Sequence, residues 1–248
     1  MKTVILAAGM GKRMGGISKV LLSAPHPFIP RKQTTLLSRL MLQVSWATNP
    51  ADIVVVVGYR RNEVVQRILK DFDGLEDCFV HIVTNSKYKK DTNVLSAFLG
   101  INLCKDDSYV IIESDILIEN RAILEIYNNE DVSTLYTCGE FNRNLYGGIC
   151  KSCDGKVIDA KIVKEYEDRY KDYNKLLGIT KISSKDCLKT FEFLKEDIEN
   201  KMDQYYWLSW FDRLYNLNIY EGDLSKFKSV SFNTPEDYKK ALLLFKED

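Results

Sequence analysis

The sequence predicts an α/β protein: a mixed, mostly parallel sheet with helices on both faces and a small antiparallel extension. Three observations point there. Short apolar, β-branched runs alternate with amphipathic stretches through the first half of the 248 residues, the pattern of strands joined by helical crossovers. The first of these runs delivers the chain into a glycine-bearing turn, Gly9-Met10-Gly11. In the second half the runs are separated instead by short turns such as Asp154-Gly155, which suits antiparallel strands.

Taken in order, residues 2–7 read as a buried strand. Residues 35–46 carry Leu36, Leu37, Leu40, Met41 and Val44 at helical spacing, and 52–58 form a continuous β-branched run. A helix is predicted over 62–69, a strand over 80–84, a helix over 94–103 and a strand over 108–113. Further strands are expected at 140–148, 156–163 and 177–183, with turns at Gly147-Gly148 and Asp154-Gly155. Val230-Ser231-Phe232 reads as a last strand, and Thr234-Pro235-Glu236-Asp237 opens a closing helix with a capping residue, a proline and early acids. The arrangement is Rossmann-like. Ligands in such sheets bind beyond the carboxyl ends of the strands, so Gly9, Gly58, Asn85 and Asp115 are expected to line one rim.

Composition narrows the class. At 45% hydrophobic and with no Pro- or Gly-rich linker, residues 1–248 are expected to form one domain. Lysine plus arginine equals aspartate plus glutamate at 35 each, so no global field favours nucleic acid or an acidic membrane. The apolar runs are too short to span a bilayer, and residues 1–3 open directly into fold; a cytoplasmic protein is expected. Six cysteines suit reduced thiols there, and Cys150-Lys151-Ser152-Cys153 has neither a second pair nor a nearby histidine to complete a zinc site. His26 and His81 are the only histidines.

The chemistry-bearing stretch is Leu6-Ala7-Ala8-Gly9-Met10-Gly11-Lys12-Arg13-Met14-Gly15, followed by Lys19. Glycines let the backbone approach phosphate oxygens, and Arg13 and Lys19 supply charge that amides lack. A P-loop is excluded because Gly9 lies two residues from Gly11 and Lys12 is followed by Arg13. A dinucleotide fingerprint is excluded because Met14 stands where the third glycine belongs and no acid occurs before Asp52.

The segment resembles the signature of the nucleotidyltransferase superfamily that activates sugar phosphates, alditol and choline phosphates and molybdopterin. The resemblance is specific at 6–21, 113–115 and 231–237, and it implies the nucleotide-diphospho-sugar transferase fold. Residues 1–135 would be the nucleotide-binding half and 136–248 the acceptor half. Leu6, Ala7, Ala8, Gly9 and Gly11 would then wrap an incoming NTP, while Arg13 and Lys19 hold its phosphates as catalytic residues. Asp115, just past a buried strand, matches the family's first metal aspartate, and Asn233 takes a position often filled by aspartate. Together they would hold Mg²⁺, which takes hard oxygen ligands and bridges substrate phosphates. A helix cap is the competing role for each.

Thr92, Asn93 and Ser96 open the helix after the 80–84 strand and are candidates for the nucleotide's base or ribose, against a plain N-cap. Tyr205, Tyr206, Trp207 and Trp210 with Asp212 form an aromatic and acidic cluster like one in phosphocholine enzymes, suited to a quaternary ammonium. The spacing of Tyr206, Trp210 and Leu214 equally suits a core-facing helix. Residues 23–33 are longer than the family's usual turn; they carry Arg31 and Lys32, either for an acceptor phosphate or as surface decoration.

The expected activity is Mg²⁺-dependent transfer from an NTP, CTP favoured, to a phosphate or phosphonate monoester such as phosphocholine, with release of pyrophosphate. The alternatives are a sugar-1-phosphate nucleotidyltransferase using UTP, dTTP or CTP, and a non-catalytic nucleotide-binding module. Partners are expected to be the NTP and a small phosphorylated acceptor, with neither nucleic acid nor membrane; monomer and homodimer both remain open.

Overall fold

The computed structural model describes residues 1–72, 77–211, 213 and 217–245. β1 (Lys2–Ala7) leads through two single-turn 3₁₀ segments, Lys12–Met14 and Lys19–Leu21, into a hairpin of β2 (Ser23–Pro25) and β3 (Gln33–Thr35) and then α1 (Leu36–Ala47). β4 (Ala51–Val57), α2 (Arg61–Phe72), β5 (Cys78–Thr84), α3 (Val94–Ile101) and β6 (Tyr109–Glu113) continue the alternation. β7 (Ile116–Ile118), α4 (Asn120–Asn128), β8 (Thr134–Glu140), β9 (Gly147–Cys153), β10 (Lys156–Val163) and β11 (Asn174–Ile182) come next. The chain closes with α5 (Cys187–Glu199), α6 (Leu208–Phe211), β12 (Tyr220–Asp223), β13 (Ser229–Ser231) and α7 (Pro235–Leu244).

One nine-stranded sheet runs in the order β5-β4-β1-β6-β11-β8-β12-β10-β9. β5, β4, β1 and β6 are mutually parallel, whereas β11 runs antiparallel to both β6 and β8. Strand side chains alternate between faces, and the core divides accordingly. Ile5, Val55 and Val57 pack under α1, α2 and α4, while Val4, Leu6, Val54 and Val56 pack under α3, α5 and α6. Burial on both faces explains why 53–57 reads as an unbroken apolar run. β1, β4 and β6 therefore end together, at Ala7, Val57 and Glu113, on the rim where a ligand is expected. Among the described residues no helix is long and apolar enough to cross a membrane.

The second half departs from expectation at more than one place: β8 and β12, which pair parallel within the main sheet, form where no strand is expected, and the strand expected at 140–148 is displaced. Residues 140–148 are not a strand: β8 ends at Glu140 and β9 begins at Gly147, so Gly147-Gly148 starts a strand instead of making a turn. The glycines serve close approach. A Cβ on Gly148 would lie 3.0 Å from Leu176 and 3.2 Å from Trp207, and Gly147 has φ +99°. Residues 23–33 form the β2–β3 hairpin; Arg31 and Lys32 at its exposed tip are absent from the cleft described below, so decoration is the role the structure supports.

Candidate active site

β1 ends in a turn that the glycines make possible. Gly11 has φ +59°, and a Cβ there would stand 2.1 Å from the Ile17 carbonyl oxygen. The Met14 and Gly16 amides donate to the Gly11 carbonyl (2.8 and 3.1 Å), Met14 is buried as an anchor, and the Tyr59 hydroxyl donates to the Gly16 carbonyl (3.0 Å). Gly9 is different: a Cβ there would meet nothing within 4 Å. Its neighbouring space belongs to the cleft, so Gly9→Ala is expected to leave stability within about 0.5 kcal/mol of the parent while weakening NTP binding. A thermal melt paired with nucleotide titration checks this; unchanged nucleotide affinity would remove Gly9 from the binding surface.

The cleft has a volume of about 620 Å³ and lies along the rim of the sheet. Leu6, Ala8, Gly9, Gly11, Arg13 and Lys19 line its first wall. Ala7 does not: its side chain points into the core beneath the sheet, the face opposite to that of Leu6. Strand pairing brings the distant parts together. Ser231 of β13 pairs with Ile116 of β7, and the Phe232 amide donates to the Asp115 carbonyl (3.0 Å), which sets Asn233 beside Asp115. The Lys19 ammonium reaches the Asp115 carboxylate at 2.7 Å, the Asn233 amide oxygen at 3.1 Å and the Phe232 carbonyl at 3.1 Å. Arg13 donates to the same Asn233 oxygen at 2.6 Å. Four residues spread over 220 positions of sequence thus share one spot.

Asp115 lies between β6 and β7 and caps no helix. Asn233 does not cap either; Thr234 does, in a capping box with Asp237. The Asp115 and Asn233 oxygens converge on one cation, Lys19, and are hard donors of the kind Mg²⁺ accepts. They make a partial set that phosphate oxygens and water would complete. Among the described residues no group of three or more His, Cys, Asp or Glu side chains forms a fuller metal cage.

Thr92, Asn93 and Ser96 all border the cleft, but two of them are committed elsewhere. Asp91 caps α3, accepting from the Leu95 and Ser96 amides (3.0 and 2.9 Å) and from the Ser96 hydroxyl (2.6 Å). Asn93 accepts from the Tyr206 amide (2.8 Å) and donates to Glu113 (3.3 Å). The Thr92 amide donates to Asp203 (2.6 Å), so the start of α3 holds the aromatic segment over the cleft.

That segment splits. Tyr206 and Trp210 are fully buried and meet edge to face at 5.2 Å, and the Tyr206 and Thr180 hydroxyls pair at 3.0 Å. They are core residues and form no part of an aromatic cage. Tyr205 and Trp207, 5.9 Å apart, border the cleft, although Trp207 is only 3% exposed and packs in the same core cluster as Tyr206 and Trp210. Asp212 and Leu214 lie outside the described residues. Trp210→Ala is accordingly expected to cost about 3–5 kcal/mol of stability, read by denaturant unfolding. A loss below about 1 kcal/mol would contradict its core position.

Two cleft residues stand outside the candidate set read from the sequence, although Glu113 opens the 113–115 stretch noted there. Glu113 ends β6, and its position at the carboxyl end of a buried strand, two residues before Asp115, was the available signal. Burial first, then the Asp115 charge, push its carboxyl up to about 7, against the pull of Lys175 and Lys19. Lys175, on β11, has its ammonium pKa lowered by burial. Because the folded state holds the Glu113 proton above its ordinary 4.5, the associated stability is complete below pH 4.5 and is lost as pH rises through 7. Glu113→Gln, which cannot ionise, is expected to flatten the fall in stability over that window and to exceed the parent in stability at higher pH. Denaturant unfolding across the window, with chelator present, tests this; identical pH profiles would sink it.

Comparison with known proteins gives a consistent picture. The family model described as nucleotidyl transferase matches residues 2–150. The 2-aminoethylphosphonate cytidylyltransferase of Lancefieldella rimae is 25% identical over 227 residues, spanning 90% of this chain and 82% of that one. Among solved structures, CTP:phosphocholine cytidylyltransferase from Streptococcus pneumoniae superposes with a TM-score of 0.76 at 19% identity, over 99% of both chains. A UDP-glucose pyrophosphorylase in complex with UDP-glucose superposes at 0.73 with 16% identity, over 99% of this chain and 98% of that one.

Proposed function

The chain belongs to the nucleotidyl transferase family, and from that premise we propose a cytidylyltransferase that joins CTP to a small phosphate or phosphonate monoester bearing a cationic head, releasing pyrophosphate. The observation that carries this reading is the convergence of Arg13 and Lys19 on Asp115 and Asn233 beside an open glycine turn. That arrangement puts positive charge where a triphosphate would lie and leaves backbone free to approach it.

In the reaction, the acceptor's phosphoryl oxygen attacks the α-phosphorus, the new P–O bond forms in line, and the bond to pyrophosphate breaks. Lys19 and Arg13 stabilise charge that builds on the departing pyrophosphate. Asp115 and Asn233 would hold Mg²⁺, which when bound neutralises charge on the phosphate oxygens. Positioning and electrostatics are sufficient, and no covalent enzyme intermediate is needed.

The preference for cytidine and for a zwitterionic acceptor rests on two supports. One is the pair of cytidylyltransferases among the similar proteins. The other is the part of the cleft bordered by Tyr205, Asp203 and the edge of the buried Trp207, where aromatic surface and a carboxylate suit a cationic head. The experiment is pyrophosphate release from CTP, UTP, ATP, GTP and dTTP against phosphocholine, 2-aminoethylphosphonate, an alditol phosphate and a sugar 1-phosphate. Turnover confined to CTP with a cationic acceptor is expected. Robust turnover of a sugar 1-phosphate with UTP or dTTP would overturn the reading.

A further inference from the structure

Lys175 is a lysine whose ammonium is desolvated by burial and forms no ion pair among the described residues, although the Glu113 and Asp115 charges act on it through space. Its ammonium carries three donors, and the hydrogen bond the structure gives it goes to a backbone carbonyl, that of Leu176 at 2.8 Å. No carboxylate among the described residues lies within ion-pair distance of it. Two other lysines show what a structural or paired ammonium looks like here. Lys181, on the same strand, holds the Asn129 and Ile126 carbonyls at the end of α4 (2.9 and 3.4 Å), and Lys19 has three acceptors. Burying a charge with so little compensation is unfavourable unless an anion arrives.

Its surroundings say which anion. Lys175 pairs in register with Ile149 of β9, and its ammonium stands 3.7 Å from where a Cβ on Gly147 would be, so it opens onto the cleft wall made by the antiparallel extension. Arg13, Lys19, Glu113 and Asp115 line the same cleft, and β11, which carries Lys175, pairs directly with β6, which ends at Glu113. A doubly negative acceptor in this cleft meets the Asp115 charge, and that of Glu113 when it is ionised. A cation lining the same cleft offsets that repulsion. The same charge repels an ammonium, so a zwitterion would turn its cationic end away, toward Tyr205, Trp207 and Asp203.

We infer that Lys175 is the residue that binds the acceptor's phosphate or phosphonate dianion and thereby sets the orientation of a zwitterionic acceptor in the cleft. This rests on the cytidylyltransferase reading above and assigns one end of its acceptor site. Lys175→Gln is expected to raise the acceptor KM about ten- to hundredfold, with the CTP KM changed by less than about twofold, and Lys175→Arg to recover most of the loss. Methylphosphonate, which has the anion without the cationic head, is expected to inhibit the parent competitively against the acceptor and to lose potency in Lys175→Gln by a similar factor. Choline, which has only the head, should not. An unchanged acceptor KM, or equal losses for CTP and acceptor, would overturn the assignment, as would equal losses for methylphosphonate and choline. If the parent turns over no pair of CTP and cationic acceptor, the cytidylyltransferase reading fails. Calorimetric binding of methylphosphonate to the parent and to Lys175→Arg and Lys175→Gln then decides the anion site separately: weaker binding to Lys175→Gln supports it, and equal binding removes it.

Discussion

Asp115→Ala is expected to reduce turnover by about a thousandfold or more while the protein stays folded. The residue sits at the junction of β6 and β7, and its side chain is 21% exposed at the cleft, so little packing is lost with it. The strand that brings Asn233 alongside is pinned by the Asp115 backbone carbonyl, which alanine retains. Lys19 would keep two of its three acceptors, the Phe232 carbonyl and the Asn233 amide. What disappears is the carboxylate that, in the proposed reaction, would face the transferring phosphate. The measurement is kcat for pyrophosphate release beside a thermal melt. A folded variant with near-parental kcat would take Asp115 out of the reaction.

Lys19→Ala is expected to lower kcat about a hundred- to a thousandfold, with NTP affinity affected far less. Its ammonium spans the 3₁₀ turn Lys19–Leu21, Asp115 and the end of β13, and at 16% exposure it is shielded enough for its charge to act at strength. Charge on the leaving pyrophosphate grows as the bond breaks, so a cation here contributes more to the transition state than to the ground state. A rise in KM with kcat unchanged would assign Lys19 to ground-state binding. Arg13→Ala should follow the same direction with a smaller effect, because Arg13 is solvent-exposed and its guanidinium donates to an uncharged amide, that of Asn233.

Much of the molecule was readable from residue order because the signals are local. A strand buried on both faces needs an unbroken apolar run, and 53–57 supplies one; α1 needs apolar residues on one face, and 36–44 supplies them. The turn at Gly11 needs a residue that takes positive φ, and the closing helix carries its own capping box. One misreading falls where one residue type serves two ends. Glycine at 147 and 148 permits strands to approach closely as readily as it makes a turn, and the contact that decides between them comes from Leu176 and Trp207.

Residue order by itself therefore determined the alternating half of the sheet, the phosphate-type turn with Arg13 and Lys19, and the candidates Asp115 and Asn233. These follow from spacing along one stretch of chain and from side-chain chemistry that does not depend on neighbours far away. Tertiary structure decided which side of each element faces the cleft. It sent Tyr206 and Trp210 into the core and left Tyr205 and the edge of Trp207 bordering the cleft, tied Asn93 and Ser96 into hydrogen bonds, and placed Glu113 and Lys175 in the site. Such choices depend on how α3, β11 and the aromatic segment pack against one another. Orientation toward a shared cavity belongs to the packing of distant segments, and no single stretch of the chain encodes it.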